Sequence, residues 1–325
     1  MNRPRISVII CTYNRFSSLS ETLESLMQMV IPSDMIWEII MVDNNSNDKT
    51  KTLVETYAKE RPTLFKYIFE GRQGKSFALN TGVEAARGDI LAFTDDDVLL
   101  DRNWLIAIKD AFDKYPKCRA FGGKVIARLP DRIPSWIVKE GPYWNIGGPI
   151  GHYDKGDVVR SYYEDGMYAP CGANMFFSKN IFLDYGNFNE SLNLWVKSTP
   201  MFEDTEFCFR LLNNKEEIFY IPNAIVYHKV PADKFRKNYS RKWYFKRGRS
   251  SAITEVLPAS TVRYLNIPRF IFRTFLQNIF EYIISIILLN RKRRILYEIR
   301  TIRVLGAIYE YFTKGRKECP RNKYR

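Results

Sequence analysis

Three consecutive carboxylates, Asp95-Asp96-Asp97, directly follow a largely apolar run, Asp89–Thr94, that has the pattern of a buried strand. Like charges this close repel one another unless a cation or hydrogen-bond donors compensate them. Because side chains two apart on an extended chain point the same way, Asp95 and Asp97 can hold one hard divalent ion, such as Mn²⁺ or Mg²⁺, through oxygen ligands. A solvated acidic turn or a helix N-cap would have the same sequence, so these residues alone leave that alternative open.

A second acidic group, Glu203-Asp204 with Glu206, opens a segment that has helical spacing, Glu203–Leu212. One of these carboxylates could take a proton from a substrate hydroxyl as a general base. Carboxylates in the first turn of a helix are also stabilised by the helix dipole, and they then have no catalytic role. The residues by themselves are therefore compatible with a catalytic and with a structural interpretation.

Histidine is rare in this sequence, which contains only His152 and His228. Neutral imidazole is a common metal ligand, although a lone histidine is more often a structural residue. His228 follows a predicted strand, Glu217–Val226, and is a candidate for either role. His152 lies in a glycine-rich loop, and we assign it no role.

Alternating strand and helix patterns position these side chains. The sequence predicts four strands, over Ile6–Cys11, Trp37–Val42, Leu64–Phe69 and Asp89–Thr94. Between them it predicts helices over Ser18–Met29, Asp48–Arg61 and Ser76–Ala86. This alternation is typical of a parallel sheet with helices on both faces, in which ligands bind beyond the carboxyl ends of the strands. The polar residues at those ends are expected to collect along one edge of the sheet: Thr12-Tyr13, Asp43-Asn44, Gly71–Lys75 and Asp95–Asp97.

Charge is distributed unevenly along the 325 residues, which have a formal net charge of +14. Residues 1–230 carry a net charge of −3, whereas residues 231–325 contain 23 Lys and Arg against 6 Asp and Glu, a net charge of +17. This asymmetry predicts a catalytic or binding domain over residues 1–230. It also predicts a basic C-terminal region over residues 231–325 that contacts an anionic surface.

Composition excludes several classes of protein. Hydrophobic residues make up 46% of the chain and charged residues 26%, which is typical of a globular protein and not of a disordered, collagen-like or disulfide-dense one. With five cysteines, no CxxC pair and two histidines, a zinc site of the finger type is excluded. The N-terminal residues have no signal-peptide pattern, so we expect the cytoplasm as the compartment.

Several motifs in a fixed order give the sequence a resemblance to glycosyltransferase family 2. Besides Asp95-x-Asp97, the similar stretches are Val8–Arg15, Val42–Thr50, Gly74–Gly82, Ala85–Gly88 and Met201–Arg210. The resemblance is specific over residues 5–100 and 170–230, and loose elsewhere. It implies a GT-A fold, an α/β fold whose Rossmann-like mixed sheet is flanked by helices. It also implies inverting transfer from a nucleotide sugar, with residues 1–115 binding the donor and residues 116–230 forming the acceptor side.

The same resemblance assigns roles to the acidic groups and to one histidine. Asp97 would be the principal ligand of a Mn²⁺ or Mg²⁺ ion, with Asp95 and His228 as further ligands. Asp204 would be the general base for the acceptor hydroxyl, and Glu203 would bind the acceptor or support Asp204. Such transfer needs both functions, because the leaving diphosphate must be neutralised and the acceptor must lose a proton.

Other matched positions would surround the nucleotide and the sugars. The residues implied in nucleotide binding are Thr12, Tyr13, Asp43, Arg72, Lys75, Asp95 and Asp96. Tyr13 would stack on the base, and Asp43 would accept a hydrogen bond from a ring N–H such as that of uracil. Arg72 and Lys75 would reach the diphosphate, and Gly172 and Asn174 would line the donor and acceptor sites. The structural alternatives are a turn at Asp43, core packing of Tyr13 and solvated basic side chains.

Basic and aromatic residues are interleaved in the segment Arg241–Arg249. This segment could close over the nucleotide phosphates, with Arg247 as a candidate contact to donor or acceptor. It could instead bind a membrane surface or contact nucleic acid. No nucleic-acid-binding module is recognisable in the sequence, so we expect no nucleic-acid partner.

An apolar segment near the C-terminus, Phe270–Leu289, is interrupted by Arg273, Gln277 and Glu281, which fall on one helix face. A charge in mid-span is costly in a membrane-spanning helix, whereas an amphipathic helix in the membrane plane tolerates it. We therefore predict an in-plane helix, ahead of a helix packed on protein and a spanning helix. With the basic cluster Arg291–Arg294, this amphipathic helical tail would place the protein peripherally on the inner face of the cell membrane.

Together these features predict a hexosyltransferase-type enzyme of polysaccharide or glycan biosynthesis, with a UDP-sugar as donor and a glycan or lipid-linked saccharide as acceptor. A sugar nucleotidyltransferase is one alternative, but Thr12-Tyr13-Asn14-Arg15 follows the first strand where a glycine-rich triphosphate loop would be needed. A non-catalytic, membrane-associated nucleotide-sugar-binding protein is the other. The presence of both the aspartate pair and the candidate base disfavours it.

Overall fold

The chain divides into two compact units, Met1–Leu129 with Gly151–Val230 and Pro130–Ile150 with Pro231–Arg325. The computed structural model describes residues 5–134, 136–137, 148–162, 169–192, 203–254 and 260–314. The larger hydrophobic core lies within the first unit, and a smaller one lies within the second.

A mixed β-sheet forms the centre of the first unit. Its strands are β1 (Ile6–Thr12), β2 (Trp37–Asp43), β3 (Phe65–Phe69), β4 (Ile90–Thr94), β5 (Val98–Leu100), β6 (Ala120–Arg128), β7 (Arg160–Ser161), β8 (Asn174–Ser178) and β9 (Ile218–Lys229). They lie in the order β3-β2-β1-β4-β8-β6-β9-β5, and β7 pairs with β9. Strands β1 to β4 run parallel, β8 is antiparallel to both of its neighbours, and β6 and β9 are again parallel. The predicted mixed sheet is confirmed.

Helices accompany these strands along the chain. They are α1 (Phe16–Met27), α2 (Thr50–Glu60), α3 (Lys75–Ala85), α4 (Trp104–Lys114), α5 (Ile181–Tyr185) and α6 (Glu203–Asn213). Within residues 6–94 every predicted strand and helix is present, and no end differs from the prediction by more than two residues. This agreement follows from the buried, strongly patterned strands β1, β2 and β4, which local sequence describes well.

Strands β5 and β6 did not emerge from the sequence pattern. β5 has only three residues, and the pair Gly122-Gly123 interrupts β6. Both glycines are required by close neighbours in the fold. A Cβ at Gly122 would overlap Tyr162 and Pro170, and a Cβ at Gly123 would overlap Asn174. The two glycines thus interrupt the strand pattern of β6 in the sequence, but they are also the residues that allow β6 to pack in the fold.

An aromatic cluster fixes α6 against the sheet. The ring of Phe207, on α6, stacks on Phe182 of α5 with centroids 4.9 Å apart. It also meets Phe177 of β8 edge-on at 5.2 Å and Phe188 at 5.0 Å. Aromatic pairs at these distances add specific stabilisation to the burial of their area. The start of α6, which carries the second acidic group, is thereby held near the carboxyl ends of the strands.

Three long helices belong to the second unit. They are α7 (Lys237–Thr254), α8 (Arg269–Ile287) and α9 (Arg291–Lys314), with a 3₁₀ turn (Ala232–Phe235) before α7 and a hairpin of β10 (Arg263–Tyr264) and β11 (Ile267–Pro268) before α8. Helices α7 and α9 cross at Gly248 and Gly306, where a Cβ on either would overlap a backbone carbonyl of the other helix. Arg249 Nε donates to Glu310 across this crossing at 2.9 Å. The basic, aromatic segment Arg241–Arg249 thus lies within a helix.

A buried carboxylate joins three elements at the amino-terminal edge of the sheet. Glu38 accepts hydrogen bonds from Ser7 Oγ (2.7 Å), the Arg87 backbone N–H (2.7 Å) and Arg87 Nε (2.8 Å). Ser7 Oγ accepts a bond from the Gly88 backbone N–H at 2.8 Å. Burial raises the pKa of Glu38, but the bonds from Ser7 and Arg87 outweigh this effect and lower it. This network ties β1, β2 and the α3–β4 link together.

We expect Glu38→Gln to lower the free energy of unfolding by about 1.5–3 kcal/mol, because it removes hydrogen bonds to an ionised, buried acceptor. The pKa of Glu38 is lower in the folded state than in the unfolded chain. Its contribution is therefore present above the unfolded-state pKa and is lost as the pH falls through the folded-state pKa. Urea denaturation should accordingly show a difference between wild type and variant that shrinks on acidification.

The matched control is Glu60→Gln, whose exposed carboxylate pairs with the neighbouring Arg61 at the surface. It should change the free energy of unfolding by less than about 0.5 kcal/mol. A Glu38→Gln effect that stays constant from neutral to acidic pH would contradict the role given to its ionised form.

Candidate active site

The carboxyl ends of the strands bring the predicted polar residues to one edge of the sheet. Thr12 pairs with Asp43 in the register of β1 and β2. Asp95-Asp96-Asp97 links β4 to β5, and Val98 of β5 pairs with His228 of β9. The antiparallel part of the sheet therefore brings His228 beside Asp97, although the two are far apart in the sequence.

Asp97 faces a guanidinium and an imidazole. Its Oδ2 lies 3.6 Å from Arg15 Nη1 and 3.8 Å from His228 Nε2. His228 is buried, and Gly151 lies against its ring. A Cβ at Gly151 would be 3.0 Å from Nδ1, and the φ of +68° at this position favours glycine. The imidazole is thus held with Nε2 on the side of the Asp97 carboxylate.

The pair Asp97 and His228 supplies one oxygen and one nitrogen donor near a single point. Mn²⁺ accepts both kinds of ligand, whereas Mg²⁺ prefers oxygen. Within the described part of the chain, no three His, Cys, Asp or Glu side chains group closely enough to hold an ion by themselves. An ion held by Asp97 and His228 would therefore need further ligands from a substrate or from water.

Lys75 links the aspartates to α6. It begins α3 directly after Gly74, whose φ of 147° favours glycine. Its Nζ lies 3.0 Å from Asp95 Oδ1 and 3.6 Å from Glu203 Oε1. Burial lowers the pKa of Lys75, but the carboxylates of Asp95, Glu203 and Asp204 outweigh burial and raise it well above its usual value. The ammonium stays charged and bridges a carboxylate at the end of β4 to one on α6.

Glu203 and Asp204 start α6, and their surroundings differ. Glu203 is only 5% exposed, and burial raises its pKa even with the Lys75 ammonium nearby. Asp204 Oδ1 accepts a bond from the Thr205 backbone N–H at 2.6 Å, which fixes the carboxylate. Asp204 Oδ2 lies against Gly172, where a Cβ would overlap it. Gly172 therefore leaves the space that this carboxylate occupies.

The predicted base-binding residues differ in accessibility. Tyr13 lies just beyond β1 and is 45% exposed, which is suitable for stacking on a planar ligand. Asp43 is buried. Its Oδ1 accepts a bond from the Ser46 backbone N–H at 2.9 Å, and its Oδ2 accepts one from the Tyr67 hydroxyl at 3.0 Å. Asp43 thereby fixes the turn that follows β2.

Several side chains near the aspartates are buried. Thr12 and Asp96 are almost inaccessible, and burial raises the pKa of Asp96 to about 7. Burial also raises the pKa of the Cys171 thiol to about 12 and that of Cys11 further. Both shifts favour the protonated thiol over the thiolate, which is the nucleophilic form.

Arg72 is held by a carboxylate of its own segment. Its Nη2 and Nε donate to Glu70 at 2.8 and 3.0 Å, and its guanidinium lies over the Phe77 ring at 4.6 Å. The Thr81 hydroxyl also donates to Glu70 at 2.7 Å. Hydrogen bonding from Arg72 is the main cause that lowers the pKa of Glu70 to about 2. Arg72 is thus paired with Glu70, whereas Lys75 faces the aspartates.

Asn174 belongs to the core of the sheet. Its Oδ1 accepts a bond from Trp104 Nε1, and its Nδ2 donates to the carbonyls of Lys124 and Ala224, each at 2.8 Å. The side chain is fully buried. Its amide joins β8 to β6 and β9. These hydrogen bonds explain why an asparagine stands at this position, and no contact with a sugar is needed to explain it.

Two further predictions concern other parts of the chain. Arg247 lies on α7 in the second unit, and its guanidinium is 5.4 Å from the Trp243 ring centroid. Met201 and Phe202, which begin the predicted acidic motif, lie outside the described residues.

Sequence reasoning gave no role to Arg15 or Gly151, which both adjoin the aspartate and histidine pair. Asn14 has a φ of +51°, and this left-handed turn after β1 precedes Arg15. Asparagine two residues after the end of a buried strand is a sequence signal for such a turn. Gly151 had no comparable signal, because the ring that it contacts comes from a distant strand.

Comparison with known proteins adds a family match. Residues 7–177, more than half of the chain, match the family model described as Glycosyl transferase family 2. Glucosyl-dolichyl phosphate glucuronosyltransferase of Haloferax volcanii is 26% identical over 231 residues, which cover 70% of this chain and 69% of that protein. Succinoglycan biosynthesis protein ExoM of Rhizobium meliloti is 26% identical over 245 residues, which cover 75% of this chain and 73% of that protein.

Solved structures show the same architecture. The mannosyltransferase PcManGT from Pyrobaculum calidifontis, in complex with GDP-Man and Mn²⁺, superposes with a TM-score of 0.61 at 18% identity and covers 97% of this chain and 89% of its own. GalNAc-T7 with UDP, GalNAc and Mn²⁺ gives a TM-score of 0.54 at 18% identity, over 79% of this chain and 52% of its own. The predicted GT-A fold is thereby confirmed, and with the family match this chain belongs to glycosyltransferase family 2.

Proposed function

We propose that this chain is an inverting, metal-dependent glycosyltransferase that transfers a sugar from a nucleotide-diphosphate sugar, with a UDP-sugar as the expected donor, to a glycan or lipid-linked saccharide. The Lys75 bridge carries the proposal: its Nζ lies 3.0 Å from Asp95 and 3.6 Å from Glu203. This bridge brings the end of β4 and the start of α6 together. A donor phosphate at the aspartates and an acceptor hydroxyl at α6 would then be neighbours, which is the proximity that group transfer requires.

Asp97 and His228 are the proposed ligands of a divalent ion, with Asp95 beside them. PcManGT and GalNAc-T7 were both solved with Mn²⁺, which supports this choice of ion. A divalent ion bound there would neutralise charge on the leaving diphosphate. Arg15, 3.6 Å from Asp97, adds a fixed positive charge from the chain itself to the same region.

Asp204 is the proposed general base. Because Oδ1 accepts the Thr205 N–H, Oδ2 is the oxygen that takes the proton of the acceptor hydroxyl. As this proton moves, the acceptor oxygen bonds to the anomeric carbon. The bond from that carbon to the diphosphate breaks, and the diphosphate leaves with the electron pair. Attack opposite the leaving group inverts the configuration at the anomeric carbon.

For the nucleotide, we propose that Tyr13 stacks on the base and that Thr12, Asp43 and Asp96 shape its pocket. The exposed ring of Tyr13 supports the first role. Both oxygens of Asp43 already accept one hydrogen bond, and each keeps a lone pair for a ring N–H such as that of uracil. Uracil, thymine and guanine carry such a ring N–H, whereas cytosine and adenine do not, so this contact is compatible with the UDP-sugar proposed as donor.

The acceptor and the compartment follow from a different set of observations. The Haloferax relative is named for a dolichyl phosphate substrate, which supports a lipid-linked acceptor here. Residues 231–325 carry a net charge of +17, which suits contact with the inner face of the cell membrane. In the described part of the chain, α8 alone is long and apolar enough to cross a membrane, judged by length and composition. We propose peripheral attachment of this enzyme.

We expect UDP, tested beside GDP, dTDP and CDP, to raise the melting temperature of the wild-type protein in a Mn²⁺-dependent way. A ligand that binds only the folded state stabilises it, by about 2.7 kcal/mol at roughly a hundredfold excess over Kd. Asp97→Asn should abolish the Mn²⁺-dependent shift, and Asp110→Asn, an exposed aspartate on α4, should retain it. No shift with any of the four nucleotides would refute the proposed donor class.

Asp204→Asn is expected to lower kcat by about 10²–10⁴, because the amide cannot accept the proton of the acceptor hydroxyl. Nucleotide binding, read from the same melting shift, should remain. Glu206→Gln is the matched control, since Glu206 lies in the same helical turn and accepts a bond from Arg210 Nη2 at 2.8 Å. Equal losses of kcat in the two variants would mean that the acidic turn only stabilises the helix terminus.

Lys75→Met should lower kcat/KM by about tenfold for the donor and for the acceptor alike, because it frees a carboxylate on each side of the bridge. A lysine that only clamped the diphosphate would change the KM of the donor alone. Lys75→Arg keeps the positive charge and should recover part of the loss. Steady-state kinetics with each substrate varied in turn distinguishes the two, and an effect confined to the donor would argue against the bridge.

A further inference from the structure

One face of α8 exposes large apolar side chains to solvent. The buried residues of this helix are Ile271, Asn278 and Ser285. The solvent-facing residues that we call the outer stripe are Leu276, Phe280, Ile283 and Ile287. Their spacing of four, three and four places them on one helix face. Leu276, Phe280 and Ile287 are 66%, 63% and 72% exposed. In a soluble amphipathic helix such a stripe would face the protein core.

The apolar surface continues into the turn after α8. Ile286, Leu288 and Leu289 are exposed, and Leu289 has a φ of +49° at the point where the chain reverses. A contiguous exposed patch of large apolar side chains marks an interaction surface, since isolated ones would need no explanation.

Helix α9 covers the inner side of α8. Ile271 packs with Ala307 and Tyr311 of α9 near one end of α8. Towards the other end, Glu281 of α8 pairs with Arg293 of α9. The two helices therefore lie side by side, and the outer stripe faces away from α9.

Basic residues stand at both ends of the outer stripe. Arg269 and Arg273 are exposed at its start, and Arg291, Lys292 and Arg294 are exposed beyond its end. Each lysine or arginine near an anionic membrane surface contributes attraction. A second copy of this chain fits less well, because pairing the stripe with itself in either direction would bring basic ends together.

We propose that the outer stripe docks into the surface of an anionic phospholipid bilayer, with α8 lying in the membrane plane. This inference deepens the peripheral attachment proposed above by naming the surface, its orientation and the lipid charge. A spanning orientation would carry α9 along with α8. The charges of Glu298, Arg300 and Arg303 would then enter the hydrocarbon region, which is costly. In-plane docking instead buries the apolar stripe and leaves the basic ends at the headgroups.

Co-sedimentation of the full chain with vesicles tests this surface. We expect binding to phosphatidylcholine vesicles that contain phosphatidylglycerol, and weaker binding to phosphatidylcholine alone. The double variant Leu276→Asp and Phe280→Asp should lower partition into the mixed vesicles by about a hundredfold. Replacing Arg291, Lys292 and Arg294 with glutamine should lower it by about fivefold for each charge removed. The melting temperature should not change, because the replaced side chains are exposed.

Leu183→Asp is the matched control, because Leu183 on α5 of the first unit is 85% exposed yet lies outside the outer stripe. It should bind vesicles like the wild type. Wild-type protein that stays in the supernatant with mixed vesicles would overturn the inference. So would a dimer in sedimentation velocity that only the double variant abolishes, since the stripe would then serve self-association.

The Mn²⁺-dependent melting shift with UDP, measured without vesicles, reports separately on the proposed enzyme function. A chain that fails the vesicle test and retains this shift would lose the docking surface only. A chain that binds vesicles without the nucleotide shift would lose the proposed donor chemistry only.

Discussion

Repulsion among carboxylates at one edge of the sheet is the constraint on which the rest of the site depends. Asp95–Asp97 and Glu203-Asp204 converge there, and such groups cannot all be ionised in a partly desolvated place without cations between them. Lys75 stands between the two groups, and Arg15 approaches Asp97. Burial still raises the pKa of Asp96 and that of Glu203. A divalent ion bound at Asp97, as proposed, would add a further positive charge to this edge of the sheet.

Carboxylates held against their repulsion need a rigid platform, and two features of the first unit supply it. The aromatic contacts of Phe207 with Phe177, Phe182 and Phe188 lock the start of α6 to β8 and α5. Glycines then stand where catalytic candidates come closest to the backbone, with Gly172 leaving space for the Asp204 carboxylate. Positioning of this kind requires side chains whose own conformations are fixed by packing.

The second unit is organised differently, around three helices and an exposed apolar surface. Its helices α7 and α9 come close at paired glycines, and α8 exposes a stripe of large apolar residues to solvent. In water this arrangement exposes apolar area without compensation. At a lipid surface the same arrangement becomes favourable. The membrane-facing helix and the lipid-linked acceptor that we propose would therefore suit one and the same enzyme.

The sequence by itself determined the strands and helices of residues 6–94, the polar residues at the strand ends and the family. These are local features, because periodicity and the polarity of strand ends depend on residues that are close in sequence. Which side chains contact one another was determined only by the tertiary structure. Lys75, expected at the diphosphate, lies between Asp95 and Glu203, and the amide of Asn174 is engaged in the core.

The same division holds for α8. Spacing alone placed Arg273, Gln277 and Glu281 on one helix face, but it could not tell which face another helix would cover. The packing of α9 determined which face of α8 is covered, and it left the outer stripe exposed to solvent. Contacts between residues distant in sequence depend on which elements become neighbours. No local sequence pattern encodes which elements become neighbours, because this depends on burial and pairing across the whole fold.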